Sequence, residues 1–279
     1  MYDGILPSDQ VKRLQRVSAT ASVTLHRKDG AVRLCRLYQA GAAKIRLPKS
    51  YAPDRADVTL INTAGGLTGG DVFDVSVTVA EEAAACVTTQ ACEKMYRSLD
   101  GDAVVTNSLA VGPGARLAWM PQETIFYDRA SLYRKLNATV DPDGALFAME
   151  PMVFGRTAMG ESVERGSLKD AWTVKRGDVL VYADRTYLND EFASVLSRPG
   201  IMRAARAFAA GVYVGPGQGR VRDAIRAVAE PDGVTAGVSI VRGAVSIRCV
   251  ATDSQGLRRW IGAAYQAAWG EDLPRVWGC

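Results

Sequence analysis

The chain has 279 residues, 48% of them hydrophobic, enough for one large domain or two ordinary ones around a sizeable core. With 34 Lys and Arg against 30 Asp and Glu the net charge is only +4, and no basic stripe interleaves with aromatics, which argues against nucleic acid as a partner. No apolar run approaches the roughly 18 residues of a membrane helix, and residues 1–18 lack a basic-then-apolar leader, so the expectation is a cytoplasmic protein without membrane contact.

The five cysteines, Cys35, Cys86, Cys92, Cys249 and Cys279, are an odd number without paired spacing, as expected of reduced thiols and not of a disulfide framework or zinc knuckle. His26 is the single histidine, so histidine-rich metal cages are excluded, and it reads best as a surface strand residue.

In chain order, residues 1–17 read as a loosely ordered tail. Two alternating segments, 21–25 and 31–37, flank Arg27-Lys-Asp-Gly30, a hairpin turn because Asp-Gly tolerates positive φ. Residues 40–54 read as a loop, with Pro48 and Pro53 and a basic character from Lys44, Arg46 and Lys49. A strand at 58–61 enters the stretch Asn62-Thr-Ala-Gly-Gly-Leu-Thr-Gly-Gly-Asp71, and an alternating strand at 72–79 leaves it. Gly65, Gly66, Gly69 and Gly70 imitate a phosphate loop, but the lysine and the following helix that a Walker loop needs are missing, and Asp71 would repel phosphate. A tight β-corner and a carboxylate-bearing loop that meets a partner or a metal are the remaining readings.

Beyond that loop, strand–turn–strand units recur about every thirty residues, and a carboxylate closes each: Glu93, Glu123, Glu150 and Asp184. Such recurrence is expected of stacked β layers, because one unit alone cannot bury its apolar face. Regular stacking would bring the four acids near one another; otherwise they are simply exposed strand ends. Helical periodicity appears only late, at 218–229 and at 254–269, the second with Ser254 as the expected N-cap. The fold class expected is therefore mainly β, as one domain spanning 1–279 with two late α-helices.

Four blocks carry a family resemblance. Residues 62–71, Thr89-Gln-Ala-Cys-Glu-Lys-Met-Tyr-Arg-Ser98, Trp119-Met-Pro-Gln-Glu-Thr-Ile-Phe126 and Phe154-Gly-Arg-Thr-Ala-Met-Gly-Glu161 resemble, in order, the signature blocks of the urease accessory protein D (UreD) family. The closing Leu273-Pro-Arg-Val-Trp277 is similar to the family's C-terminus, and Cys92 stands where a small residue is usual. The resemblance implies a β-helix-like stack of sheets with two helices. It also implies a non-enzymatic chaperone of urease maturation that binds apo-urease and the accessory proteins F and G. Its cargo would be transient nickel(II), with no tightly bound cofactor.

Carried onto this sequence, the matched blocks make Asp71, Glu161, Glu93 and Glu123 candidate nickel-conduit residues, and Gly65, Gly66, Gly69, Gly70, Tyr96 and Arg97 candidate partner contacts. A carboxylate path holds a late first-row metal more loosely than imidazole or thiolate would. Each acid has a second reading as half of a structural ion pair, and Cys92 reads as either a ligand or an inert buried thiol. Two other functions are carried alongside: a phosphate-using transferase built on the glycine loop, and a pure adaptor that positions F and G on urease without carrying metal.

Overall fold

The computed structural model describes residues 15–49, 54–156, 159–203 and 205–278. Most of the expected tail, part of the expected 40–54 loop, and Cys279 lie outside the described residues. Two sheets face each other. The first has seven strands: β1 (Ser18–Lys28), β2 (Ala31–Ala40), β5 (Val72–Val79), β8 (Ala103–Val111), β11 (Ser131–Val140), β13 (Ser167–Arg176) and β14 (Val179–Asn189). Their order is β14-β13-β11-β8-β5-β1-β2, parallel from β13 to β1 with an antiparallel strand at either edge.

The second sheet holds β3 (Ala43–Arg46), β4 (Ala56–Asn62), β6 (Ala84–Thr89), β7 (Glu93–Met95), β9 (Arg116–Trp119), β10 (Thr124–Phe126), β12 (Ala145–Phe154), β15 (Ala207–Val214), β16 (Val234–Val241) and β17 (Ala244–Ala251). The chain climbs as a solenoid from one sheet to the other and back, so the mainly β, stacked architecture expected from sequence is the one observed. Three of the four recurring strand–turn–strand units are corners between the sheets, β5 to β6, β8 to β9 and β11 to β12; only β13–β14 is a hairpin. The β1–β2 turn is the expected hairpin, with Asp29 and Gly30 both at positive φ. Part of the expected 40–54 loop is the short strand β3, which extends the second sheet.

Among the described residues three α-helices form: α1 (Phe192–Leu196), α2 (Gln218–Arg226) and α3 (Ser254–Trp269). The two longer ones are those expected, while α1, only five residues, has too little periodicity to read in sequence. The core has two layers. Alternate residues of both sheets meet between them, and the other face of the second sheet packs against α2 and α3. Sandwiched between both layers, β12 is buried along its whole length, which is why its sequence is a continuous apolar run broken only at Glu150.

Two adjacent rungs of the second sheet are interrupted. One splits into β6 and β7 around residues 90–92, the next into β9 and β10 around residues 120–123. On β12 the ladder to β9 ends at Ala148 and the ladder to β10 begins at Met152. Pro151 falls in that gap, where no neighbouring rung needs its missing N–H.

The start of α3 corrects the sequence reading by one residue: Asp253, not Ser254, is the N-cap, its carboxylate accepting from the Gly256 N–H at 2.7 Å. Asp253→Ala is expected to cost about 1 kcal/mol. In guanidinium unfolding this appears as a lower midpoint with an unchanged slope.

Candidate functional site

The interrupted rungs open a cavity of about 200 Å3 between the sheets. The second sheet contributes Asn62, Thr89, Cys92, Glu93, Trp119, Gln122, Thr124 and Glu150 to its wall; the first contributes Phe73, Val75, Val105, Asn107, Leu132 and Arg134. The wall reaches the surface at Gly65, Gln90, Ala91 and Lys94, all exposed.

At its inner end lies a buried charge cluster. Arg134 on β11 pairs in register with Asp170 on β13, donating from Nε at 3.1 Å and Nη2 at 2.7 Å. Across the gap between sheets, Glu150 Oε2 lies 3.1 Å from the same Nε. Glu150 Oε1 accepts from Trp119 Nε1 at 2.8 Å and Asn107 Nδ2 at 3.1 Å, whereas Oε2 has no hydrogen-bond partner of good geometry. Burial pushes the Glu150 carboxyl above its ordinary range despite the opposing pull of Arg134. The carboxylates nearby hold the Arg134 guanidinium charged against its burial.

Glu93 faces the cavity near its open end. Both carboxylate oxygens accept from Asn62 Nδ2, at 3.2 and 3.1 Å, and burial raises its pKa more than these bonds lower it. In register, Glu93 pairs with Thr124 and Thr124 with Met152, so Glu150, two residues before Met152, points to the same side. Glu123 is one residue out of phase and points the other way, toward α3. There Arg258 donates from Nε at 2.9 Å and Nη2 at 2.6 Å to Glu123, and from Nη1 at 3.0 Å to the Trp277 carbonyl.

The stacking thus brings Glu93 and Glu150 to one cavity and sends Glu123 to the helix layer. Asp184 is elsewhere, on the edge strand β14, paired with Arg248. Asp71 closes its own turn: Oδ2 accepts from the Thr68 N–H at 2.8 Å, and Oδ1 from the Val17 N–H at 2.7 Å. Glu161 is bound by Arg156, whose hydrogen bonds hold it below the ordinary carboxylate range. Neither Asp71 nor Glu161 lines the cavity.

Among the described residues no three acid, thiol or imidazole side chains converge to hold a metal. The Cys92 thiol, on the cavity wall, donates to Glu123 at 3.3 Å, and burial first, then that carboxylate, pushes its pKa up to about 11. It stays a thiol at neutral pH, a poor metal ligand.

In the glycine loop, Gly65 and Gly70 are exposed, as are Tyr96 and Arg97, while Gly66 and Gly69 are buried. A Cβ on Gly66 would lie 2.3 Å from the Tyr96 ring, and one on Gly69 would lie 1.9 Å from Ser98 Oγ, so these two glycines let the 94–101 segment pack onto the loop. The loop precedes a strand and presents no helix N-terminus, so a phosphate cradle has no structural basis here.

Sequence reasoning passed over Arg134, Asp170 and Asn107, although a signal existed. Each occupies an inward position of an alternating strand, in phase with Leu132 and Leu136, with Leu168 and Trp172, or with Leu109 and Val111. Polar residues in phase with an apolar face are either paired or line a space; Arg134 and Asn107 do both, and Asp170 pairs with Arg134.

A model of the UreD urease accessory protein family matches residues 17–278. The chain is 38% identical over 275 residues to the urease accessory protein UreD of Agrobacterium fabrum, spanning 98% of this chain and 95% of that one. It is 40% identical over 266 residues to the UreD of Rhizobium leguminosarum bv. viciae, spanning 95% and 96%. With the UreD of a Methylobacterium species the identity is 42% over 253 residues, 89% of either chain.

The Glu123–Arg258 pair gives a signed pH dependence. Burial alone would raise Glu123, but the hydrogen bonds and charge of Arg258 outweigh it and hold the carboxyl below its ordinary value. The pair therefore stabilises fully above the unfolded-state value of about 4.3, and its contribution is lost as the pH falls through the lower folded-state value. Glu123→Gln is expected to be less stable than the wild type at pH 7, with the difference narrowing toward pH 3 in parallel denaturant titrations. An equal difference at both pH values would contradict this assignment.

Proposed function

The chain belongs to the UreD urease accessory protein family, and from that premise we propose that it is a non-catalytic chaperone of urease maturation. It docks on apo-urease, takes accessory proteins F and G as its further partners, and passes nickel(II) through its interior toward the urease active site. The observation that carries the passage is the cavity, which reaches the surface and has two carboxylates, Glu93 and Glu150, on an otherwise largely apolar wall. A packed β interior is normally filled to the density of an organic crystal, so open space with charged groups in its wall between two sheets is a feature to be explained.

The reading assigns different work to the acids of the matched blocks. Glu93, with Glu150 deeper in, offers oxygen to a passing ion. Asp71, Glu123 and Glu161 hold the frame through their own hydrogen bonds. Oxygen ligands suit nickel less well than imidazole or thiolate, and a carrier that must release its cargo gains by that weakness. The exposed Gly65, Gly70, Tyr96 and Arg97 beside the opening are the surface offered to a partner.

The engaged state of Asp71, Glu123 and Glu161 favours one competing reading, in which the chain is only an adaptor and metal travels outside it. Glu93→Gln separates the two. Urease matured with this variant is expected to carry less than half of the normal nickel, by metal analysis, while the variant still co-purifies with apo-urease. Full nickel content would end the passage reading and leave the adaptor.

A further inference from the structure

The cavity bounds how an ion can be held inside it. Its carboxylate oxygens are largely engaged: Glu93 accepts from Asn62 Nδ2 at both oxygens and from the Lys94 N–H at 3.1 Å, and Glu150 Oε1 accepts from Trp119 and Asn107. The one buried carboxylate oxygen on the wall without a hydrogen bond is Glu150 Oε2, and it lies 3.1 Å from Arg134 Nε. Arg134 cannot swing aside, because Asp170 grips it at two nitrogens and Thr124 Oγ1 lies 3.4 Å from a third. A bare divalent ion bonded to Oε2 would therefore sit against a fixed positive charge.

The rest of the polar wall is Asn62, Thr89, Gln90, Gln122, Thr124 and Asn107, groups that hydrogen-bond to water and ligate a late transition metal poorly, with Lys94 at the mouth and the Cys92 thiol, whose hydrogen is donated to Glu123 and whose pKa is pushed up to about 11. The space, about 200 Å3, is large enough for a hydrated ion, since one water takes roughly 30 Å3 and a shell of six takes roughly 180 Å3.

From these observations we infer that a divalent cation crosses this cavity with its water shell intact, and that Arg134 is the positioning residue that denies Glu150 a direct bond to the metal. The inference rests on the passage reading and deepens it. The cation is held through its waters, which donate to Glu150 Oε2 and to the amide and hydroxyl oxygens of the wall, and no protein atom replaces a ligand. Such holding is loose, so the ion leaves as readily as it enters. Without the guanidinium, Glu150 is free to enter the inner coordination sphere and the cavity becomes a trap.

The test uses the full chain and hexaamminecobalt(III), a diamagnetic ion whose ammine ligands do not exchange and donate hydrogen bonds outward as metal-bound waters do. The reporter is the Trp119 indole N–H, which donates to Glu150, observed by NMR after 15N labelling of tryptophan and assigned with Trp119→Phe. The expected result is a saturable shift of that signal with hexaamminecobalt(III), reversed by excess magnesium chloride. If nickel chloride broadens the signal while hexaamminecobalt(III) leaves it in place, the ion binds directly and the inference is overturned, with the passage reading intact. If neither cation perturbs it, no ion reaches the cavity and the passage reading falls along with the inference.

The role of Arg134 is read separately, as nickel retained through gel filtration. Arg134→Gln is expected to retain close to one equivalent, whereas the wild type and Arg134→Lys retain less than a tenth of that. Equal loss from all three would overturn the role of Arg134, and the wild-type titration decides the hydration claim even if Arg134→Gln fails to fold.

Discussion

The Arg134 guanidinium ties the two sheets together deep in their interior. Arg134 lies between Asp170, its in-register neighbour on β13, and Glu150, which reaches it from β12 in the opposite sheet. Three charges taken out of water are tolerable only as a set: removing one member of such a buried group typically costs about 3–5 kcal/mol, because the others are left uncompensated. An apolar trio of similar volume would be no less stable by the same reasoning. What the charged set adds is polar space beside it, since Asn107, Trp119 and Thr124 gather around its hydrogen-bonding groups and a cavity remains where close packing would otherwise continue.

That space has its origin in the solenoid. Each coil lays one strand in each sheet, and an uninterrupted stack would be solid. The breaks between β6 and β7 and between β9 and β10 fall on adjacent rungs, and Pro151 on β12 marks the same level on the third. Register then sorts the acids. Glu93 and Glu150 share the inward phase, while Glu123, one residue out of step, serves the helix layer, where Arg258 ties it to the C-terminal Trp277. One of these acids cannot take over another's task by a small shift, because a one-residue slip moves a side chain to the opposite face.

Much of this was legible in the sequence. The thirty-residue recurrence announced stacked β layers, Asp29-Gly30 announced its hairpin, and the apolar stripe of α3 announced its position. The corners look like simple repeats of strand and turn in sequence, because alternation reports which face is buried and not which strand lies alongside. The site was harder. Acids at strand ends attract notice, yet Asp71, Glu123 and Glu161 turned out to satisfy backbone N–H groups and arginines. Arg134 and Asp170, in mid-strand among leucines and Trp172, carried the better signal: a charge in phase with a core face needs a buried partner. The partner across the sheets, Glu150, is set by three-dimensional stacking, which local pattern does not encode.

Passage of an ion through this chain requires that the space between the sheets be used. Filling it without touching any charge tests that requirement most directly. Val75 on β5 faces the cavity from the apolar side, and Val75→Phe adds bulk there while leaving Arg134, Asp170, Glu150 and Glu93 in place. The measurement is the nickel content of urease matured with this variant, with its binding to apo-urease followed alongside. The account predicts normal binding and nickel reduced several-fold; undiminished nickel with the cavity filled would contradict it.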